Sequence, residues 1–225
     1  MLKCFTYWRT INGNRVPFPD RGAILAAALA AIVIPSGLAA GGVAATAAVG
    51  SIDSAVGQSL ETKTTNGKES ARQGQYDETW KRLRLKPLRQ TLKNINREFQ
   101  CALRSTGQVQ QFFVHEPCRS LQRTLIPLAD ANGNAIVVAI AWVRMVNSSS
   151  AIRLADLIDA DGTGGIQPLA GALLGYDGIQ FTGRYYAVRR SGDLVVIAEA
   201  TPWRGQPSGA VLDGIASVSA EFPPP

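Results

Sequence analysis

The chain has 225 residues, a net charge of +6 and a near-neutral mean hydropathy of +0.03. It carries one histidine and three cysteines, which excludes the common histidine-rich zinc centres. The basic excess is uneven: residues 1–21 carry +3, residues 53–104 carry +5 and residues 105–225 carry −2.

The first segment, residues 1–21, reads as a short basic leader with Lys3, Arg9, Arg15 and Arg21. It is followed by 31 residues, Gly22 to Ile52, without a charged side chain. A bilayer core is crossed by roughly 20 mostly apolar helical residues. The 19-residue window Gly22 to Ala40 meets that length, with Ile24, Leu25, Leu29, Ile32, Val33, Ile34 and Leu38 among many alanines. Residues 22–49 are therefore expected to form a transmembrane helix or signal-anchor, with Pro35 as a kink that membrane helices tolerate. The lipid bilayer is the expected partner. The same outline also fits a cleaved secretory signal, with cleavage between Ala40 and Ala47. Arg15 and Arg21 abut the run, and no Lys or Arg occurs in residues 53–62. With Arg9 they place the N-terminus in the cytoplasm and the body outside. Gly37 and Gly41 have the spacing of a helix-pairing motif, but small residues four apart are expected by chance in a run of 12 Ala and 5 Gly.

Residues 50–84 read as a linker or stalk, because 53–75 is rich in Ser, Thr, Gly, Gln and Lys. Lys81, Arg82, Arg84, Lys86, Arg89, Lys93 and Arg97 would give the stalk a basic face, suited to anionic headgroups or to plain solvation. No nucleic-acid partner is expected outside the cell. Residues 85–225 read as an extracytoplasmic α+β domain. Leu85, Leu88, Leu92, Ile95, Phe99 and Leu103 recur every three or four residues, which predicts an amphipathic helix over about 87–105. Leu121–Leu128 and Ala135–Val146 flank Asn132-Gly133 and predict a hairpin whose second strand, apolar on both faces, is central. Ser148–Ser150 would cap a helix over 151–158. After a glycine-rich loop, 180–190 and 194–201 predict a second hairpin turning at Ser191-Gly192, and Ser208 opens a last helix. The expected domain is therefore a small antiparallel sheet in the order helix, hairpin, helix, hairpin, helix.

Cys4 precedes the apolar run, which leaves Cys101 and Cys118 as an expected disulfide on the oxidising side. His115 lies three residues before Cys118, poor geometry for a nucleophile pair in an extended segment. Asp156, Asp159 and Asp161 suggest a loose oxygen-ligand site. An EF-hand frame fails, because its first and twelfth positions are Leu157 and Pro168. Gly162-Thr163-Gly164-Gly165 lacks the Lys and the preceding strand of a phosphate loop. Trp142, Tyr185, Tyr186 and Trp203 could line a groove or pack the sheet. No catalytic, cofactor or metal residue is assigned.

The segment Phe112-Phe113-Val114-His115-Glu116-Pro117-Cys118, the strand ending Ala141-Trp142-Val143-Arg144 and the leader-plus-anchor outline resemble exported, membrane-anchored proteins of high-GC Gram-positive bacteria. That resemblance covers about 95–205 and implies a cell-envelope setting without a mechanism. The expected function is thus a single-pass, membrane-anchored, non-enzymatic domain that binds a ligand or an envelope protein. The alternatives are a secreted domain, and an enzyme or metal protein using His115 or the three aspartates. Oligomeric state is not legible in the sequence.

Overall fold

A computed structural model describes residues 7–11, 14–18, 49–88, 92–98, 100–169 and 178–225. The chain divides into two compact units, Met1–Ala47 and Ala48–Pro225. In the first, β1 (Tyr7–Ile11) pairs antiparallel with β2 (Asn14–Phe18). The dipeptide Asn12-Gly13 stands between them, a hairpin signal that the reading of 1–21 as a simple leader passes over. The run from Gly22 to Ala48, with Ile24, Leu25, Leu29, Ile32, Val33, Ile34 and Leu38, lies outside the described residues, as does Arg21. Among the described residues no helix is long and apolar enough to cross a membrane.

The second unit is α+β, built on an antiparallel sheet. Its helices are α1 (Val49–Arg72), α2 (Tyr76–Arg82), α3 (Gly107–His115), α4 (Ser148–Asp159) and α5 (Gly209–Ser219). Its strands are β3 (Lys86–Pro87), β4 (Leu92–Glu98), β5 (Ser120–Ala129), β6 (Ala135–Arg144), β7 (Tyr186–Ser191) and β8 (Leu194–Arg204). The order across the sheet is β3-β5-β6-β8-β7, with β4 also on the outer edge of β5.

The sheet's centre is as expected. β6 lies between β5 and β8 and is buried on nearly every residue. A strand apolar on both faces is stable only when both faces are covered. Helices supply both covers. Ile136, Val138, Ile140 and Trp142 of β6 join Val196 and Ala198 of β8 in one core with Trp80, Leu212 and Ile215. Ala141 and Val143 of β6 join Leu121 and Val195 in a second core with Val109, Phe113, Leu154 and Ile158.

The turns differ from the sequence reading in detail. Five residues, 130–134, link β5 to β6. The Asp130 carboxylate accepts the N–H groups of Asn132 and Asn134 at 2.8 and 2.9 Å, and Gly133 has φ +81°. Gly192-Asp193 makes the tight turn between β7 and β8, one residue later than expected, with Gly192 at φ +60°. Asn147 rather than a serine caps α4, its side chain accepting from Ser150 N at 2.8 Å. Ser208 caps α5 as expected, accepting from Val211 N.

Two expectations are corrected. Residues 49–72 are not a loose linker: they form α1, which packs on α5 and α2. Small residues permit the close approach. A Cβ on Gly67 would sit 3.3 Å from Val218, and one on Gly214 would sit 3.2 Å from Thr64. Ser70 and Ala71 are buried beside them. Helix propensity is a weak prior that such packing overrides. The amphipathic helix over 87–105 is likewise absent. Residues 92–98 form β4 along β5, pairing Leu92 with Leu125 and Asn94 with Arg123, and only Cys101–Arg104 make a short 3₁₀ turn. An open edge of β5 offers unpaired backbone groups, and pairing them outweighs an apolar spacing that also fits a helix.

Candidate functional site

Cys101 and Cys118 form a disulfide, with Cα atoms 6.1 Å apart. Both cysteines are buried in the second core, where the bridge joins the 3₁₀ turn to the start of β5 past α3. His115 ends α3 on an exposed position, and Cys118 is engaged in the bridge, so no Cys–His nucleophile pair exists there.

A more structured site lies on the same face of the sheet, towards the other end of the strands. Side chains on one face of a strand recur every second residue. On β8 that face carries Val195, Ile197, Glu199 and Thr201, and on β5 it carries Leu121, Arg123 and Leu125. Between them β6 contributes Ala139 and Ala141, which pair with Glu199 and Ile197 on one side and with Leu125 and Arg123 on the other. These two short side chains leave room that helices α3 and α4 do not fill.

A glycine-rich loop, residues 160–168, roofs this space. It is pinned to the start of α3 by reciprocal bonds: Thr106 N donates to Gly165 O at 3.0 Å, and Gly165 N donates to Thr106 Oγ1 at 3.2 Å. The two backbones touch at Gly107 and Gly164, with φ +61° and +90°. A Cβ on Gly107 would lie 2.6 Å from Thr163 O, and one on Gly164 would collide with Thr106 O. Only glycine combines that conformation with that contact. Thr163 is buried, its hydroxyl donating to Leu157 O at 2.7 Å and Ala160 O at 2.9 Å, which closes the end of α4. Gly162–Gly165 thus seats a loop against a helix.

Arg123 is 8% exposed and holds the loop from beneath, Nη1 donating to Gln167 O at 2.8 Å. Glu199 holds the opposite wall, accepting the backbone N–H groups of Gly183 and Thr182. Burial raises the pKa of the Glu199 carboxyl from its ordinary value, and those two N–H groups oppose the shift. A cleft of about 530 Å³ is bounded by the glycine loop and residues 181–183 and lined by Ile158, Ile166, Phe181, Tyr186, Ile197 and Glu199 among others. A void of about 30 Å³ adjoins it beside Arg123.

The sequence reading passes over Glu199, Arg123 and the alanine pair. One signal for them is present in the sequence: a carboxylate inside Val195-Val196-Ile197-Ala198-Glu199-Ala200 and a guanidinium inside an apolar β5 are costly to bury without partners. Other candidates disperse. Asp156, Asp159 and Asp161 are exposed, and no group of three metal-ligating side chains occurs among the described residues. Trp142 is buried in the first core, donating Nε1–H to Phe222 O at 2.9 Å, whereas Tyr186 lines the cleft on the other face and Trp203 lies under Arg204 at 5.0 Å. Tyr185 packs against the first core, so the aromatic four build no common groove. Lys81, Arg82, Arg84 and Lys86 are exposed, but they run from α2 through a turn into β3 and share no helix face. Lys93 and Arg97 lie on β4, and Arg89 lies outside the described residues. Arg9 and Arg15 occupy β1 and β2, opposite Val16 and Thr10.

Comparison with protein-family models, curated proteins and solved structures finds no match.

Proposed function

We propose that the chain is a membrane-tethered protein whose α+β unit works outside the cytoplasm and binds a ligand or an envelope protein. The Cys101–Cys118 disulfide carries this reading. Such bridges persist in oxidising compartments and are rare where thiols are kept reduced. The uncharged run of 31 residues flanked by Arg15 and Arg21 supports the same orientation. The cleft beside the glycine loop is the natural place for a small ligand, being concave and lined by apolar side chains together with polar groups.

The test is protease treatment of intact protoplasts that express the chain with a C-terminal tag. A membrane-bound, full-length band that protease removes supports the reading. A protected tag overturns it, and a shortened band in the medium replaces the anchored protein with a secreted one.

A further inference from the structure

Among the described residues, the charged side chains that line the cleft are both acidic. Glu199 stands on its wall and Asp161 at its exposed rim. Arg123 lines the smaller void but not the cleft, and its guanidinium is turned to the carbonyls of Gln167 and Pro168. The remaining surface mixes apolar side chains, Ile158, Ile166, Phe181 and Ile197 among them, with polar groups of Thr106, Gln167 and the glycine-loop backbone. A ligand matching this surface has an apolar body and a positive end. A divalent metal ion is a poor match, because hard cations take six or more oxygen ligands and no three-residue ligand cluster is found among the described residues.

We propose that the cleft binds a primary alkylammonium ion, with Glu199 as its counter-ion, Asp161 attracting it at the rim and the apolar walls covering its chain. A primary ammonium has three donors and no acceptor, and a carboxylate has about four acceptor sites. The N–H groups of Gly183 and Thr182 leave part of that capacity for a ligand. A charge pair in a half-buried cleft is screened less than one in open solvent. Phe181 and Tyr186 also line the cleft, and aromatic side chains can attract cations. Burial raises the Glu199 carboxyl, so its ionised form is incompletely compensated in the free protein, and an ammonium supplies what is missing.

This assignment rests on the reading of the domain as a binding module, but its test is independent of topology. The full chain, purified in an uncharged detergent, is titrated calorimetrically with butylammonium and with butyrate. Saturable binding of butylammonium and none of butyrate is expected. Glu199→Gln should weaken butylammonium binding about tenfold, the scale of one charge-assisted hydrogen bond. That substitution also alters an acceptor of the Gly183 turn, so a second variant is needed. Asp161→Lys lies outside the turn, reverses charge at the rim and should weaken binding about threefold. Equal binding of butyrate, or wild-type affinity in Asp161→Lys, overturns the proposal while leaving the protoplast result untouched.

Discussion

The two faces of the sheet use the same strands differently. On the first face, α5 lies across β6, β7 and β8, and α1 and α2 close over it. Phe222 seals the edge of this core: it is fully buried, stacks on Tyr76 at 4.2 Å, meets Trp80 at 5.3 Å and accepts the Trp142 N–H. On the second face, α3, α4 and a disulfide cover one end of the strands, while at the other the glycine loop borders a cleft and, over Ala139 and Ala141, a small void. Both faces are closed by apolar side chains, and the second adds a disulfide and backbone-to-backbone contacts. The cleft of about 530 Å³ thus opens on the second face, beside its core.

If that division of labour is right, the largest loss comes from the first face. Phe222→Ala should cost about 3–5 kcal/mol, because a buried ring leaves a cavity; urea unfolding checks this. Next, Cys101→Ser with Cys118→Ser should cost about 3 kcal/mol through the freed unfolded chain. The same titration with and without reductant measures it, and a smaller loss than for Phe222→Ala sharpens the contrast. Third, Gly164→Ala forces a left-handed backbone on a residue that also meets Thr106 O, with an expected cost of about 1–3 kcal/mol. Hydrogen exchange should show the damage at Thr106, Val109 and Gly165 and spare β6; uniform loss of protection would break the comparison.

Smaller still is a pH effect. Glu199 has a raised folded-state pKa, so the folded protein binds the proton more tightly than the unfolded chain does. Its contribution is fully present below the unfolded pKa and is lost as pH rises through the folded value. Glu199→Gln should therefore flatten the stability–pH curve between the unfolded and folded values, and an unchanged slope would refute the assignment. The smallest effect belongs to Arg153, whose guanidinium grips Glu116 at 2.6 and 2.9 Å on the surface and lowers that carboxyl's pKa. Arg153→Gln should remove a stabilisation that is present above the unfolded pKa of Glu116 and lost as pH falls through the folded value. The change should be visible only as a slight shift of the acid limb.

Much of the fold is legible along the chain because its signals are local. The continuous apolar run of β6 announces a strand covered twice, Ser208 announces α5, and Asn132-Gly133 marks the loop after β5. Elsewhere local signals conflict. The Leu85-to-Leu103 spacing fits a helix, yet the free edge of β5 lies thirty residues further on and only the assembled sheet brings it near. The Ser, Thr and Gly of α1 argue for a linker, and those same small side chains allow its approach to α5. Gly162-Thr163-Gly164-Gly165 can be recognised as a loop, but the partner that requires glycine, Thr106-Gly107, is nearly sixty residues away.

Composition, periodicity and short-range turn chemistry thus set the charge-free run, the candidate cysteine pair, the two hairpins and the α+β class. Only the tertiary structure decided that 92–98 is a strand, that 49–72 is a packed helix, and that Glu199, Ile197, Ala139, Ala141 and Arg123 meet on one face. Strand order and register place those five side chains together, and register is a property of three paired strands that no single stretch of chain contains.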